Sequence, residues 1–194
     1  MRHDTVHTEQ IGGLTIKIYH DQDCESPREN ENLGTIATWH RRYELGDVQP
    51  KDDPADYLAS LPKGSIVLPV YMYEHSGITI NTSGFSCPWD SGQLGVIHIS
   101  PEKIRAEMLV KRITKKTREL VIKGLTCEIN EYAKYLEGQC YGYVIEDCDG
   151  ETIDSCWGFI GYEYVQEEAR RAAEYEAKSR EDKRIADREM YDDG

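Results

Sequence analysis

The chain has 194 residues, 39% of them hydrophobic and 30% charged, enough apolar side chain for one core under a well-solvated surface. No apolar run approaches the ~20 residues of a bilayer span, and Met1-Arg2-His3-Asp4 leads into polar residues, so an integral membrane protein is excluded and a cytoplasmic location is expected. Lys+Arg of 23 against Asp+Glu of 36 gives a net charge of -13, which repels nucleic acid over most of the surface and attracts proteins that bind it.

The first ten or so residues are polar and predict a loose N-terminus over 1–13. Leu14-Thr-Ile-Lys-Ile-Tyr19 alternates apolar and polar and reads as a half-buried strand. The acidic segment His20–Asn32 follows, then a second strand over Leu33–Trp39 and a turn into another acidic stretch. Asp52-Asp53-Pro54 caps a short helix running to about Ser60, with Pro54 in the first turn, where its missing N–H does no harm. Ile66–Tyr73 is apolar enough for a central strand, but Pro69 removes a donor and points to an edge or a bulge. Ser76-Gly77 turns the chain into a partner strand, Ile78–Thr82. A loop over 84–92 leads to the strand Leu94–Ile99.

Ser100-Pro101-Glu102 opens a helical region, broken near Arg112–Thr114 and closed by Gly138. Its apolar residues Leu120, Val121, Leu125, Ile129, Tyr132, Ala133 and Leu136 recur at the helical period. Cys140–Ile145 and Glu151–Trp157 form a hairpin about the turn Asp147–Gly150, and a charged, alanine-rich helix follows from Glu163. These elements predict an α+β fold, a mixed and mostly antiparallel sheet covered by helices, with one domain over 14–162 and a charged helix over 163–194.

The charge is unevenly spread. Residues 101–137 hold 9 bases against 6 acids, while residues 138–162 hold 5 acids and no base. The basic part includes Lys111, Arg112, Lys115, Lys116, Arg118 and Lys123. Two acidic groups stand apart from it in sequence: Asp21, Asp23, Glu25, Glu29 and Glu31, and Asp147, Asp149, Glu151 and Asp154. On one face they would form a patch complementary to a basic groove.

Signatures of catalysis are sparse. Asp21-x-Asp23-x-Glu25 lacks the glycine and the closing glutamate of an EF-hand, and Asp147–Glu151 is accounted for by a hairpin turn. There is no HExxH, GxSxG, GxxxxGK[ST] or GxGxxG, so no catalytic residue, metal ligand or cofactor is assigned. The six cysteines include no CxxC pair and read as reduced structural thiols. Convergence of His40, His75 and His98 with acidic residues would be needed for the alternative of a metal-dependent hydrolase of nucleotides or nucleic acid.

Two segments carry more aromatic, glycine and turn chemistry than a plain surface needs. They are Glu25–Gly34 running into Trp39–Asp47, and Ser76–Thr82 running into Phe85–Gly95. Phe85 and Trp89 either plug a core, the commoner fate of such side chains, or present anchors to a partner. The runs SPRENENLGT…WHRRYELGD, YEHSGITINTSGFSCPWDSGQLGVIHIS and YGYVIEDCDGETIDSCWGFIG resemble a family of proteins carried by phages, plasmids and integrated elements of Firmicutes. The resemblance covers most of residues 14–162 and assigns no catalytic residue. Small acidic proteins of such elements include anti-CRISPR and antirestriction factors, some of which act as DNA mimics. The resemblance therefore implies a non-enzymatic inhibitor of a host defence nuclease, an RNA-guided type II CRISPR nuclease most specifically. The nine carboxylates would face its DNA channel and Phe85 and Trp89 would anchor it. Direct nucleic-acid binding through the basic helix stays open beside it.

Overall fold

The computed structural model describes residues 5–192. In chain order the elements are β1 (Thr5–Ile11), β2 (Leu14–His20), a 3₁₀ turn (Pro27–Glu29), β3 (Thr35–Thr38), α1 (Pro54–Ser60), β4 (Ile66–Glu74), β5 (Ile78–Asn81), β6 (Ser91–Ile99), α2 (Pro101–Glu107), α3 (Lys115–Leu136), β7 (Cys140–Glu146), β8 (Thr152–Ile160) and α4 (Tyr162–Asp192). The class is α+β, and the strands form two four-stranded antiparallel sheets. Contacts gather into two compact units: Ser26–Glu137 forms one, and the segments on either side of it form the other.

The unit built from the flanking segments carries a sheet in the order β1-β2-β7-β8. Alternation in Leu14, Ile16 and Ile18 sends three side chains to one face, where they meet Tyr141, Tyr143 and Ile145 and the α4 stripe Val165, Ala169 and Ala173. Spacing by four puts that stripe on one side of the helix, and its small residues let the backbone lie close to the sheet. β1 overturns the expectation of a loose N-terminus from Thr5 onward; residues 1–4 lie outside the described residues. Gly12 and Gly13 both take positive φ (57° and 81°) and close the β1–β2 hairpin, a two-residue turn that glycine makes at no steric cost.

The other unit, Ser26–Glu137, has a sheet in the order β3-β6-β4-β5. Helix α3 covers it with the fully buried Val121, Leu125 and Ile129, each worth about 1.5–3 kcal/mol relative to an exposed position. Leu120, expected in the same stripe, is exposed instead. β4 lies inside this sheet, not at its edge. Pro69 is tolerated because β5 pairs only from Tyr71 onward, so at Pro69 the strand has β6 alone beside it, and a register shift follows at Val70/Tyr71. Gly95 lets β6 approach β3: a methyl group there would run into the Ala37 carbonyl oxygen. The helix starts follow the sequence signals, with Asp53 accepting from the Ala55 N–H, Ser100 from Lys103 and Thr114 from Thr117. Among the described residues no helix is long and apolar enough to cross a membrane.

Candidate functional site

Within the flanking unit, Asp21, Asp23 and Glu25 do not gather with Asp147, Asp149 and Glu151. In the flanking unit, β2 and β7 pair antiparallel from Thr15↔Glu146 to His20↔Tyr141. Asp21 leaves the far end of β2, with its N–H on the Cys140 carbonyl, whereas Asp147 leaves the opposite end of β7. Six residues of strand, roughly 20 Å, separate them. For the carboxylates of the flanking unit the expected single strip is thereby corrected: antiparallel pairing sends the segment after β2 and the segment after β7 to opposite ends of the sheet.

Several of these carboxylates are also committed to their own loops. Asp21 accepts N–H groups of Asp23 (3.0 Å) and Gly158 (2.9 Å). Asp147 accepts those of Asp149 and Glu151 (both 3.0 Å) and faces Arg180 at 3.7 Å. Asp154 accepts the Tyr143 hydroxyl at 3.1 Å; burial first, and then this hydrogen bond, pushes that phenol well above its ordinary range. Asp23, Glu25, Asp149 and Glu151 are exposed, as are Glu29 and Glu31 in the other unit.

Within Ser26–Glu137, the first over-specified segment folds around Arg28, whose side chain is only 8% exposed. Its guanidinium makes a two-pronged contact with Asp47 (Nε 2.9 Å, Nη2 2.5 Å), donates to the Gly34 carbonyl (2.9 Å) and reaches Glu128 on α3 (3.2 Å). Glu128 accepts the N–H groups of Leu33 (2.5 Å) and Gly34 (3.1 Å), and Asp47 accepts that of Ile36 (2.7 Å). This hub ties the turn, β3, the 47–48 segment and α3 together. It is a structural device. Its signal in the sequence was Arg28 itself, the one base in the acidic run 20–32.

The two over-specified segments meet at a cleft of about 430 Å³ lined by His40, Arg42, Glu74, Trp89, Asp90 and Gln93. Glu74, near the end of β4, is held by Arg42 (2.6 Å) and by the Tyr43 hydroxyl (2.6 Å). The Tyr43 phenol is accordingly raised, first by that hydrogen bond and then by burial. His40 stacks on Tyr43 with centroids 5.2 Å apart, and its Nδ1 accepts the N–H groups of Arg42 and Tyr43. The 84–92 loop is fixed from both sides. Asn81 Oδ1 accepts the N–H groups of Ser83 and Gly84, the Ser91 hydroxyl donates to the Cys87 carbonyl, and the Glu74 N–H donates to the Asp90 carbonyl.

On that loop the two aromatics part ways. Phe85 is half-buried against Tyr73, with centroids 5.5 Å apart, whereas Trp89 is 91% exposed. The cleft therefore offers a solvent-exposed indole, carried on a hydrogen-bonded loop, beside a guanidinium, two carboxylates, an imidazole and an amide. That set suits recognition by stacking and hydrogen bonding.

The three histidines have separate partners. His40 serves its own turn, His75 faces Asp90 (3.5 Å), and His98 bonds the Tyr57 hydroxyl (2.9 Å). Among the described residues no group of three or more His, Cys, Asp or Glu side chains is placed to hold a metal ion. Burial holds the His98 imidazole below its usual 6.5 against the opposing influence of Asp47. The unfolded chain therefore binds this proton more readily than the folded one. The resulting stability is complete above about pH 6.5 and is lost as pH falls through the lower folded value. Replacing His98 by Gln is expected to flatten the decline of the urea midpoint between about pH 7 and pH 5. An unchanged slope would remove His98 as its source.

Lys111, Arg112, Lys115, Lys116, Arg118 and Lys123 are all exposed; Lys111 and Arg112 precede α3, and Lys115 reaches Glu119 at 4.0 Å. Comparison of the chain with family models, with curated proteins and with solved structures finds no match.

Proposed function

We propose that this chain is a non-enzymatic binding protein that inhibits a host defence nuclease, with an RNA-guided type II CRISPR nuclease as the particular target. The observation that carries the reading is Trp89, an indole left almost wholly in solvent on a loop whose backbone is pinned on both sides. Solvent-exposed tryptophan contributes little to a fold but is the residue type most enriched at the energetic centre of interfaces. Its neighbours Arg42, Glu74, Asp90 and Gln93 would form the polar rim.

The acidic side chains act in this reading as separate patches, not as one imitated phosphodiester strand. A net charge of -13 speeds encounter with a Lys/Arg-rich partner and orients it, while the apolar anchor sets the lifetime of the complex. The resemblance to proteins of mobile elements supplies the class of target.

Binding of the purified chain to a purified type II nuclease, with and without guide RNA, tests the proposal. Affinity is expected to fall at least about tenfold between low and physiological salt. Reversing Asp23, Glu25, Glu29 and Glu31 to Lys should slow association by a similar factor with dissociation little changed. Absence of binding, or binding indifferent to both treatments, would end it. Direct nucleic-acid contact is the second reading, supported by the six exposed bases at 111–123. A duplex or single strand shifted by the chain alone at low salt would favour it.

A further inference from the structure

Cys24 and Cys140 occupy a particular place in the chain: the inserted unit Ser26–Glu137 begins just after the first and ends just before the second. Both belong to the flanking unit. Pairing of β2 with β7 ends at His20↔Tyr141 and continues one step further, with the Asp21 N–H donating to the Cys140 carbonyl at 2.9 Å. The Asp21 carboxylate then folds the following residues back by accepting the Asp23 N–H and fastens them to β8 through the Gly158 N–H. The turn so formed places Cys24, whose thiol donates to the Glu25 carbonyl at 3.6 Å, beside Cys140, near enough for each thiol to shift the other's ionisation. Cys140 is buried, at 5% exposure, while Cys24 is half-buried and open to a small reagent. Elsewhere the Cys87 thiol donates to Asp90 and that of Cys156 to a main-chain carbonyl.

We propose that Cys24 and Cys140 are a disulfide-forming pair, oxidised by a low-molecular-weight disulfide, and that their bond closes the neck at which the inserted unit leaves and rejoins the chain. Cys24, the accessible partner, loses its proton and attacks one sulfur of the reagent, breaking that S–S bond and releasing one thiolate, which takes up a proton. The Cys140 thiolate then attacks the Cys24 sulfur of the mixed disulfide and expels the second thiol. Two protein thiols are oxidised by two electrons, one small disulfide is reduced to two thiols, and both protons end on the released thiols. Burial pushes the Cys140 thiol up to about 12 and raises that of Cys24 as well, so closure is slow near neutrality and quickens with pH. A bond joining residues so far apart in sequence removes much of the freedom of the unfolded chain, so the oxidised form resists unfolding more than the reduced form.

The full chain, incubated with oxidised glutathione at mildly alkaline pH and then alkylated, is the test. The expected product has lost two hydrogens and has a higher unfolding temperature that returns to the starting value on reduction. Digestion with trypsin and Glu-C should yield a cross-linked peptide joining Cys24 to Cys140; the second protease separates Cys140 from Cys148 and Cys156. Cys140→Ser should instead trap one glutathione on Cys24. Alkylation of both thiols after oxidation, glutathione retained on wild-type Cys24, or preferential cross-links between other cysteines would each overturn the proposal, whatever the fate of the variant.

Discussion

Replacing Arg28 with Met is expected to cost about 3 kcal/mol of stability, the largest loss from any single change in the inserted unit that leaves its apolar core untouched. The side chain is 8% exposed and satisfies Asp47, Glu128 and the Gly34 carbonyl at once. Removing one member of a buried ion pair costs about 3–5 kcal/mol because the remaining charge has neither water nor a partner. The lower end applies here for a specific reason. Glu128 keeps two backbone N–H donors and Asp47 keeps one, and their side chains retain 17% and 23% exposure. Arg28→Lys should recover only part of the loss, since an ammonium can neither bracket Asp47 with two parallel bonds nor hold all three partners together. Adding Glu128→Gln to Arg28→Met should restore some stability by removing one stranded charge. Urea denaturation reads all three. A midpoint for Arg28→Met that matches the wild type would show that the hub is decoration.

What the residues disclosed was local. Asp53, Ser100 and Gly138 cap helices by chemistry contained within a few positions, and the helical period of Val121, Leu125, Ile129, Tyr132 and Ala133 needs no knowledge of what covers it. What stayed hidden depends on partners distant in sequence. β1 escapes the sequence pattern because its inward positions include His7 and Glu9: Glu9 meets Arg170 of α4 at 2.9 Å and His7 faces Glu9 at 3.5 Å, in place of an apolar alternation. The strand is real because Gly12-Gly13 closes a hairpin and the main chain pairs with β2; its side chains carry no alternation to read. Division into two sheets follows from His20 pairing with Tyr141 across the whole insert, which no local pattern encodes.

The candidate site shows the same split. Turn and aromatic chemistry marked the 84–92 loop and the 39–47 segment as unusual, but not that they line one cleft, nor which aromatic faces solvent. The two acidic groups were visible as composition. The separation of Asp21–Glu25 from Asp147–Glu151 was not, because it follows from the direction in which β2 and β7 run. Arg28, Asp47 and Glu128 were each visible as charges, yet nothing before folding distinguishes a hub spanning 100 positions from ordinary surface.

Trp89→Ala is the substitution that separates a binding surface from an accident of the fold. With the side chain 91% exposed, its loss should move stability by no more than about 0.5 kcal/mol. Affinity for the nuclease should fall by roughly 30-fold or more, the 2 kcal/mol or greater cost of truncating an interfacial hot spot, and mainly through faster dissociation. Phe85→Ala supplies the contrast. That ring rests on Tyr73, so its removal should lower stability by about 1–3 kcal/mol, and any weakening of binding should follow from the loop's disorder. Trp89→Phe should recover part of the affinity by keeping an aromatic face while losing the indole N–H. Measured side by side by calorimetric titration and thermal melting, the variants give opposite signatures if Trp89 is the anchor: one loses binding with the fold intact, the other loses the fold first. Equal affinity of Trp89→Ala and wild type would take the cleft out of the interface, since nothing in the stability of the inserted unit requires an indole where water surrounds it.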